Sequence, residues 1–129
     1  MQDGEFRFVC HAGDFDETAA FYRDGLGLSV VGGWDRGADD RGFLFRAASG
    51  IIEVLRTHEP EAPPAGAWLL IEVSDVEALY RRVREAGLPL KEELTDKLWG
   101  HRRFVVTDPN GVYVAFFSYV GPREVAEAP

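Results

Sequence analysis

Residues 19–28, AAFYRDGLGL, and residues 78–88, ALYRRVREAGL, are two versions of one short amphipathic helix in this 129-residue chain. Each follows one predicted strand and precedes three more, so the chain contains one strand–helix–strand–strand–strand unit twice. Such a unit cannot close a core alone. We therefore predict an α+β fold in which two βαβββ modules in tandem form a curved, eight-stranded mixed sheet around a cavity, with the helices outside.

The predicted elements divide the chain into four parts. The first module occupies residues 1–57, with strand, helix and three strands predicted at 5–13, 14–23, 28–34, 42–47 and 51–56. Residues 58–66, HEPEAPPAG, predict an exposed proline-rich linker. The second module occupies residues 67–121, with the same order predicted at 67–73, 74–87, 88–94, 102–107 and 112–119. Residues 122–129 lack periodicity and predict a loosely packed tail.

Residues 108–111, DPNG, predict a tight turn that fixes the register of the last two strands. Pro109 presets its own φ angle, and Asn110 or Gly111 accepts a positive one.

Composition limits the classes of function. The net charge is −8, from 22 acidic and 14 basic residues, which disfavours nucleic acid as a partner. No apolar run approaches the ~20 residues of a membrane span, and the first residues lack a secretion signal, so we expect a cytoplasmic protein without a membrane partner. The single cysteine, Cys10, excludes an internal disulfide. We expect Cys10 to belong to the core and not to a catalytic site, because its neighbour His11 points to the opposite face of the strand and cannot serve as its base.

Several short motifs occur in a distinctive order. They are FYRD at 21–24, LGL at 26–28, WG at 99–100, Arg102, Phe104 and DPNG at 108–111. Their order and spacing resemble the vicinal oxygen chelate superfamily, which includes glyoxalase I, extradiol dioxygenases, fosfomycin-modifying enzymes and bleomycin resistance proteins. The resemblance covers residues 6–119. It implies two βαβββ modules around a cavity, commonly in a homodimer.

The resemblance also implies the place of a metal, which the enzymes hold with one side chain from the first and last strand of each module. Counted from the motifs, these four positions are Arg7, Glu53, Trp68 and Ala115. Guanidinium and indole donate no lone pair to a cation, so only Glu53 can serve, whereas even catalytic zinc keeps three protein ligands. We therefore expect neither a metal nor another cofactor. Either Arg7 and Glu53 form an ion pair there, or one of these charges orients a ligand.

Aromatic residues are predicted to line the cavity. Strand alternation puts Tyr113 and Phe117 on the face that the family turns toward the cavity, and Trp68 and Leu70 share a face by the same argument. Trp34 and Trp99 lie beside glycines near strand ends, where they either line the mouth of a groove or pack against the sheet or a partner subunit. A flat, conjugated ligand suits such a surface. The predicted ligand-binding residues are Arg7, Trp34, Glu53, Trp68, Leu70, Trp99, Tyr113 and Phe117.

No catalytic residue is predicted. His101 is the one histidine considered as an acid or base, but its side chain alternates away from Arg102 and Phe104, and the sequence fixes no carboxylate partner. We predict a surface histidine.

These observations predict a metal-free homodimer, similar to the bleomycin resistance branch, that sequesters a small aromatic natural-product antibiotic, neutral or cationic, without modifying it. One alternative is a glyoxalase-like or dioxygenase-like enzyme, with its metal site completed by a partner or ligand, or with acid–base chemistry on Glu53. A chemically changed ligand would identify it. Another alternative is a regulator or an assembly part of a biosynthetic pathway, which predicts a protein partner and little affinity for small molecules.

Overall fold

The computed structural model describes residues 4–58, 62 and 65–121, so most of the predicted linker and the whole predicted tail lie outside the described residues. The first module contains, in order, β1 (Arg7–His11), α1 (Phe15–Ala20), β2 (Val30–Asp35), β3 (Arg41–Ala47) and β4 (Gly50–Arg56). The second contains β5 (Trp68–Glu72), α2 (Val76–Ala86), β6 (Leu90–Asp96), β7 (His101–Thr107) and β8 (Tyr113–Tyr119). The predicted βαβββ order is therefore present twice.

Each module builds its own four-stranded mixed sheet. The strand orders are β1-β4-β3-β2 and β5-β8-β7-β6. The pairs β1–β4 and β5–β8 are parallel, and the other pairs are antiparallel. The α+β class with two similar modules in tandem is confirmed. Among the described residues, the eight strands form two hydrogen-bonded sheets and not the single continuous sheet that we expected.

Aspartate side chains begin both helices. The Asp14 carboxylate accepts a hydrogen bond from the Glu17 backbone N–H at 3.0 Å, and Asp75 does the same for Ala78 at 3.0 Å. The first helix departs from the prediction, because its α-helical part is followed by one π-helical turn, Phe21–Gly25. No helix in residues 4–58, 62 and 65–121 is long and apolar enough to cross a membrane.

The helices and one face of each sheet share a core. Phe45 of β3, Val83 of α2 and Val114 and Phe116 of β8 are fully buried there. Because strand residues alternate, the neighbours of Val114 and Phe116 on β8 point to the opposite face of the sheet.

The predicted turn at 108–111 is present and is held by a buried carboxylate. The Gly111 N–H donates to the Asp108 carbonyl at 3.0 Å, and Gly111 has φ = 87°. The Asp108 carboxylate, 3% exposed, accepts from the Tyr22 hydroxyl at 2.7 Å and from the N–H groups of Asn110 and Val112 at 2.8 and 2.9 Å. Since Tyr22 belongs to the first module, this carboxylate connects the two modules.

Asn110 makes a second connection between the modules. Its Oδ1 accepts from the Gly13 N–H at 3.1 Å, and its Nδ2 donates to Thr18 Oγ1 at 3.1 Å. The turn therefore fixes the position of the first helix as well as the register of β7 and β8.

Candidate functional site

The face of the second sheet that points away from the core is rich in aromatic side chains. Tyr113 and Phe117 lie on this face, since Val114 and Phe116 face the core. Trp68 pairs with Tyr113 across β5 and β8. We define the aromatic face as the six rings of Trp68, Trp99, His101, Tyr113, Phe117 and Tyr119.

The rings of the aromatic face contact one another. The Trp68 and Tyr113 centroids are 5.1 Å apart. The His101 imidazole stacks on Phe117 with ring centroids 4.0 Å apart and planes at 11°, and it forms a T-shaped pair with Trp99 at a centroid distance of 6.4 Å. Trp68 and Trp99 are 40% and 44% exposed, so both indoles are accessible to a flat molecule.

His101 is buried, and the prediction of a surface histidine is wrong. It is 8% exposed, because its ring packs against those of Phe117 and Tyr119, the latter its pairing partner on β8. Its Nδ1 is buried and has no hydrogen-bond partner among the described residues. Strand alternation indicates the face on which a side chain lies, but cross-strand ring contacts determine its burial.

Arg103 places a positive charge between the two exposed indoles. Its Cζ lies 5.7 Å from the Trp68 ring and 5.5 Å from the Trp99 ring. The Glu92 carboxylate accepts from Arg103 Nε and Nη2 at 3.1 and 3.2 Å, and Lys97 Nζ lies 2.7 Å from Glu92 Oε1. Two parallel hydrogen bonds to one carboxylate fix the plane of the guanidinium.

Acid titration should reveal the contribution of Glu92. Hydrogen bonds from Arg103 and, less strongly, from Lys97 lower the pKa of Glu92 below its ordinary value of 4.5. Because the native pKa is lowered, the ionised carboxylate stabilises the fold above about pH 4.5, and this stabilisation is lost as the pH falls through the native pKa. We expect Glu92→Gln to unfold at a lower midpoint temperature than the native chain at about pH 7. Below about pH 4.5 the two midpoint temperatures should lie closer together.

The neighbouring exposed residue Glu93 provides the control for this titration. Glu93→Gln should change the midpoint little at either pH, because Glu93 does not hold Arg103. A Glu92→Gln effect of equal size at both pH values would contradict the assigned role of the carboxylate.

The aromatic face adjoins a cavity between the two modules, with a volume of about 520 Å³. Small-molecule sites commonly have volumes of about 300–1,000 Å³. Trp68, Leu70 and Phe117 line the cavity from the second module, and Phe6 and Ile51 are among the lining residues of the first. Three of the eight predicted ligand-binding residues therefore line one cavity, and Tyr113 and Trp99 belong to the adjoining aromatic face.

The other three predicted residues lie on the first sheet. Arg7 and Glu53 form an ion pair, which was one of the two alternatives, with Arg7 Nη1 2.6 Å from Glu53 Oε1. Trp34 Nε1 donates to Asp40 at 2.8 Å, and its ring lies against Gly42. None of these three residues is among those that line the cavity.

The four positions predicted, by counting from the motifs, to correspond to the superfamily's metal ligands do not fit a divalent cation. Arg7 and Trp68 open the equivalent strands β1 and β5, and Glu53 and Ala115 occupy equivalent places in β4 and β8. Only Glu53 has a suitable donor, and a guanidinium binds it. Within the described ranges, no three His, Cys, Asp or Glu side chains are grouped to hold a metal ion.

Cys10 lies in the interior, as we predicted from the sequence. It is fully buried, and burial raises the pKa of its thiol to about 11. The thiol is therefore protonated at neutral pH, which makes it a poor nucleophile.

Sequence reasoning missed three cations of the site, Arg103, Lys91 and Lys97. Arg103 reaches the aromatic face because it pairs with Phe117 across β7 and β8. A register shift between Leu90 and Glu92 in β6 allows the adjacent residues Lys91 and Glu92 to reach the same face. Regular alternation would place Lys91 and Glu92 on opposite faces, and no residue pattern in the sequence predicts the register shift.

A second groove, of about 450 Å³, lies on the helical side of the protein. Phe21, Leu88 and Pro89 are among its lining residues. None of the predicted ligand-binding residues lines it, and the aromatic face lies on the other side of the sheet. The cavity between the modules is therefore the better candidate site.

Two βαβββ modules with a cavity between them define a class of protein, and the sequence comparison identifies the family. The profile of the Glyoxalase/Bleomycin resistance protein/Dioxygenase superfamily matches residues 7–116. The chain belongs to this superfamily. No curated protein matches the chain significantly.

Solved structures share the fold across nearly the whole chain. TioX from Micromonospora sp. ML1 is 24% identical with a TM-score of 0.75, over 92% of this chain and 100% of TioX. TnmS3, an antibiotic binding protein from Streptomyces sp. CB03234, is 20% identical with a TM-score of 0.73, over 92% of this chain and 98% of TnmS3. A glyoxalase/bleomycin resistance protein from the same Streptomyces is 21% identical with a TM-score of 0.70, over 88% and 99%. At these identities the likeness shows the fold alone.

Proposed function

We propose that this protein binds a small, flat aromatic molecule, such as an antibiotic, and sequesters it without changing it chemically. The observation that carries the proposal is the cluster of rings on the aromatic face beside a cavity of about 520 Å³. The metal-ligand positions of the superfamily hold an ion pair, an indole and a methyl group, which supports binding without metal chemistry. TnmS3, which shares the fold, is an antibiotic binding protein.

The geometry supports binding by stacking. Trp68 and Trp99 are 40% and 44% exposed, and Phe117 lines the cavity wall. Each aromatic contact adds about 0.5–1.5 kcal/mol beyond the burial of apolar area. Two or three such contacts, together with apolar burial, are sufficient for binding at about micromolar concentration.

We also propose that the protein acts as a homodimer. Large apolar side chains are exposed around both sheets: Phe6, Val9, Trp68, Leu70 and Trp99 are 40–74% exposed. A second copy of the chain would cover them and enclose the ligand. In such a dimer, the first sheet of one subunit supplies Trp34 and the Arg7–Glu53 pair to the second sheet of its partner, where one of these charges orients a polar group of the ligand.

Replacing Leu70, which is 54% exposed on an edge strand, tests the dimer. We expect light scattering coupled to size exclusion to give twice the chain mass for the native protein, and the mass of one chain for Leu70→Lys. A buried lysine without a partner charge disfavours association. Ala86→Lys, which adds the same charge on an exposed position of α2, should stay dimeric. A native protein with the mass of one chain at high concentration would contradict the dimer.

Binding and chemical fate can be measured on one sample. The native protein is titrated with flat aromatic antibiotics while tryptophan fluorescence is followed, and each bound molecule is then released by denaturation and weighed by mass spectrometry. Sequestration predicts a saturable change in fluorescence and an unchanged mass. A changed mass would identify an enzyme of the same superfamily, and the absence of any saturable binding would contradict the proposed function.

A further inference from the structure

We propose that the aromatic molecule bound by this protein is an anion, such as a carboxylic acid that is ionised at neutral pH. This inference rests on the proposed function and refines it, because it names the charge of the ligand. It differs from the sequence-based expectation of a neutral or cationic ligand. Its basis is the distribution of charged side chains over the aromatic face.

Cations of the chain itself lie over the rings of the aromatic face. Lys91 Nζ is 4.4 Å from the Tyr113 centroid and 5.8 Å from that of Trp68. Arg103 lies over both indoles, and Lys97 Nζ is 6.0 Å from the Trp99 centroid. A cationic ligand that stacked on these rings would compete with side chains already in place and would be repelled by them.

Among the residues that the structure describes, the carboxylates on this face are fewer than the cations. Glu92 is shared between Arg103 and Lys97, and Glu72 lines the adjoining cavity. Within residues 4–58, 62 and 65–121, three basic groups therefore face two acidic ones, in a chain whose overall net charge is −8. The aromatic face is locally positive on a negative protein, which favours an anionic ligand there.

Lys91 is the basic group best placed to pair with such a ligand. Among the described residues, no carboxylate oxygen lies within 4.0 Å of its Nζ, whereas Arg103 and Lys97 both contact Glu92. The register shift between Leu90 and Glu92 brings Lys91 to the aromatic face, beside Trp68. β-Bulges commonly re-aim a side chain next to a binding site. An acid stacked on Trp68 can therefore place its negative group against the Lys91 ammonium.

A matched series of ligands tests the charge preference. The probes are 2-naphthoate, 2-naphthamide and (2-naphthyl)methylammonium, which share one ring system and carry a negative, zero and positive charge. Binding is measured by isothermal titration calorimetry at low salt, on the native protein in the oligomeric state in which it is purified. We expect the naphthoate to bind about three- to fivefold more tightly than the amide, as fits one exposed ion pair, and the ammonium to bind most weakly.

Two variants locate the source of the preference. In Lys91→Gln the naphthoate should lose its advantage over the amide, while the affinity for the amide stays within about twofold. Arg81→Gln removes the same charge from an exposed position of α2, on the opposite side of the sheet, and should keep the preference.

The outcomes separate this inference from the proposed function. Equal binding of all three probes, or tightest binding of the ammonium, would overturn the charge inference and leave the proposed function standing. A naphthoate preference that persists in Lys91→Gln would overturn the assignment to Lys91. The failure of all three probes to bind at millimolar concentration would contradict the proposed function itself.

Discussion

Asp108→Ala is expected to lower the free energy of unfolding by about 3–5 kcal/mol, because the substitution leaves several buried donors without an acceptor. The Tyr22 hydroxyl and the N–H groups of Asn110 and Val112 all donate to this one carboxylate. Tyr22 is fully buried, so water cannot replace the lost acceptor without entering the core. The loss should be measured by urea denaturation followed by tryptophan fluorescence.

Two milder variants distinguish lost hydrogen bonds from lost packing. Tyr22→Phe removes one donor and should cost about 1–2 kcal/mol. Asp108→Asn keeps the shape of the side chain and one acceptor oxygen, so we expect a smaller loss of stability than for Asp108→Ala. If the free energy of unfolding of Asp108→Ala lies within about 1 kcal/mol of the native value, the carboxylate does not hold the two modules together as described.

The second large effect concerns the ligand. We expect Trp68→Ala to weaken binding of 2-naphthoate about tenfold, which corresponds to the loss of one stacking contact. The Trp68 and Tyr113 ring centroids are 5.1 Å apart, and Trp68 also lines the cavity. The substitution therefore removes part of the aromatic face and part of the cavity wall. Isothermal titration calorimetry at fixed salt measures the change.

Leu98→Ala is the matched control for this substitution. Leu98 is a fully exposed apolar side chain beside Trp99, and its truncation should leave the affinity within about twofold. If the native chain and Trp68→Ala bind 2-naphthoate equally well, Trp68 is not part of the binding site. Unfolding curves of each variant ensure that any loss of affinity reflects the site and not the fold.

The sequence contains most of the information that determines the fold. The repeated helix, the DPNG turn and strand alternation predicted the order of elements. Counting from the motifs selected Arg7 and Glu53, which form an ion pair in the structure. These features are local, or repeat at a fixed period, so a single sequence can reveal them. Whether eight strands form one sheet or two depends on long-range pairing, which local patterns do not encode.

The candidate site was predicted less completely, because its charges depend on register. Trp68, Leu70 and Phe117, three of the predicted ligand-binding residues, line one cavity. Lys91 reaches the same surface through a register shift in β6, and Arg103 through its pairing with Phe117. The burial of His101 follows from ring contacts across the same strands. The roles of Trp34, Arg7 and Glu53 in binding stay predictions, tied to the proposed dimer.

The central claim is that the aromatic face holds the ligand, and the indole signals of the tryptophans test it most directly. The chain has three tryptophans, whose indole N–H resonances can be assigned by single replacement with phenylalanine in ¹⁵N-labelled protein. On titration with 2-naphthoate, we predict that the Trp68 and Trp99 signals shift along saturable curves with one dissociation constant, while Trp34 reports whether the first sheet also contacts the ligand. Binding that leaves both the Trp68 and the Trp99 signals unchanged would contradict the account.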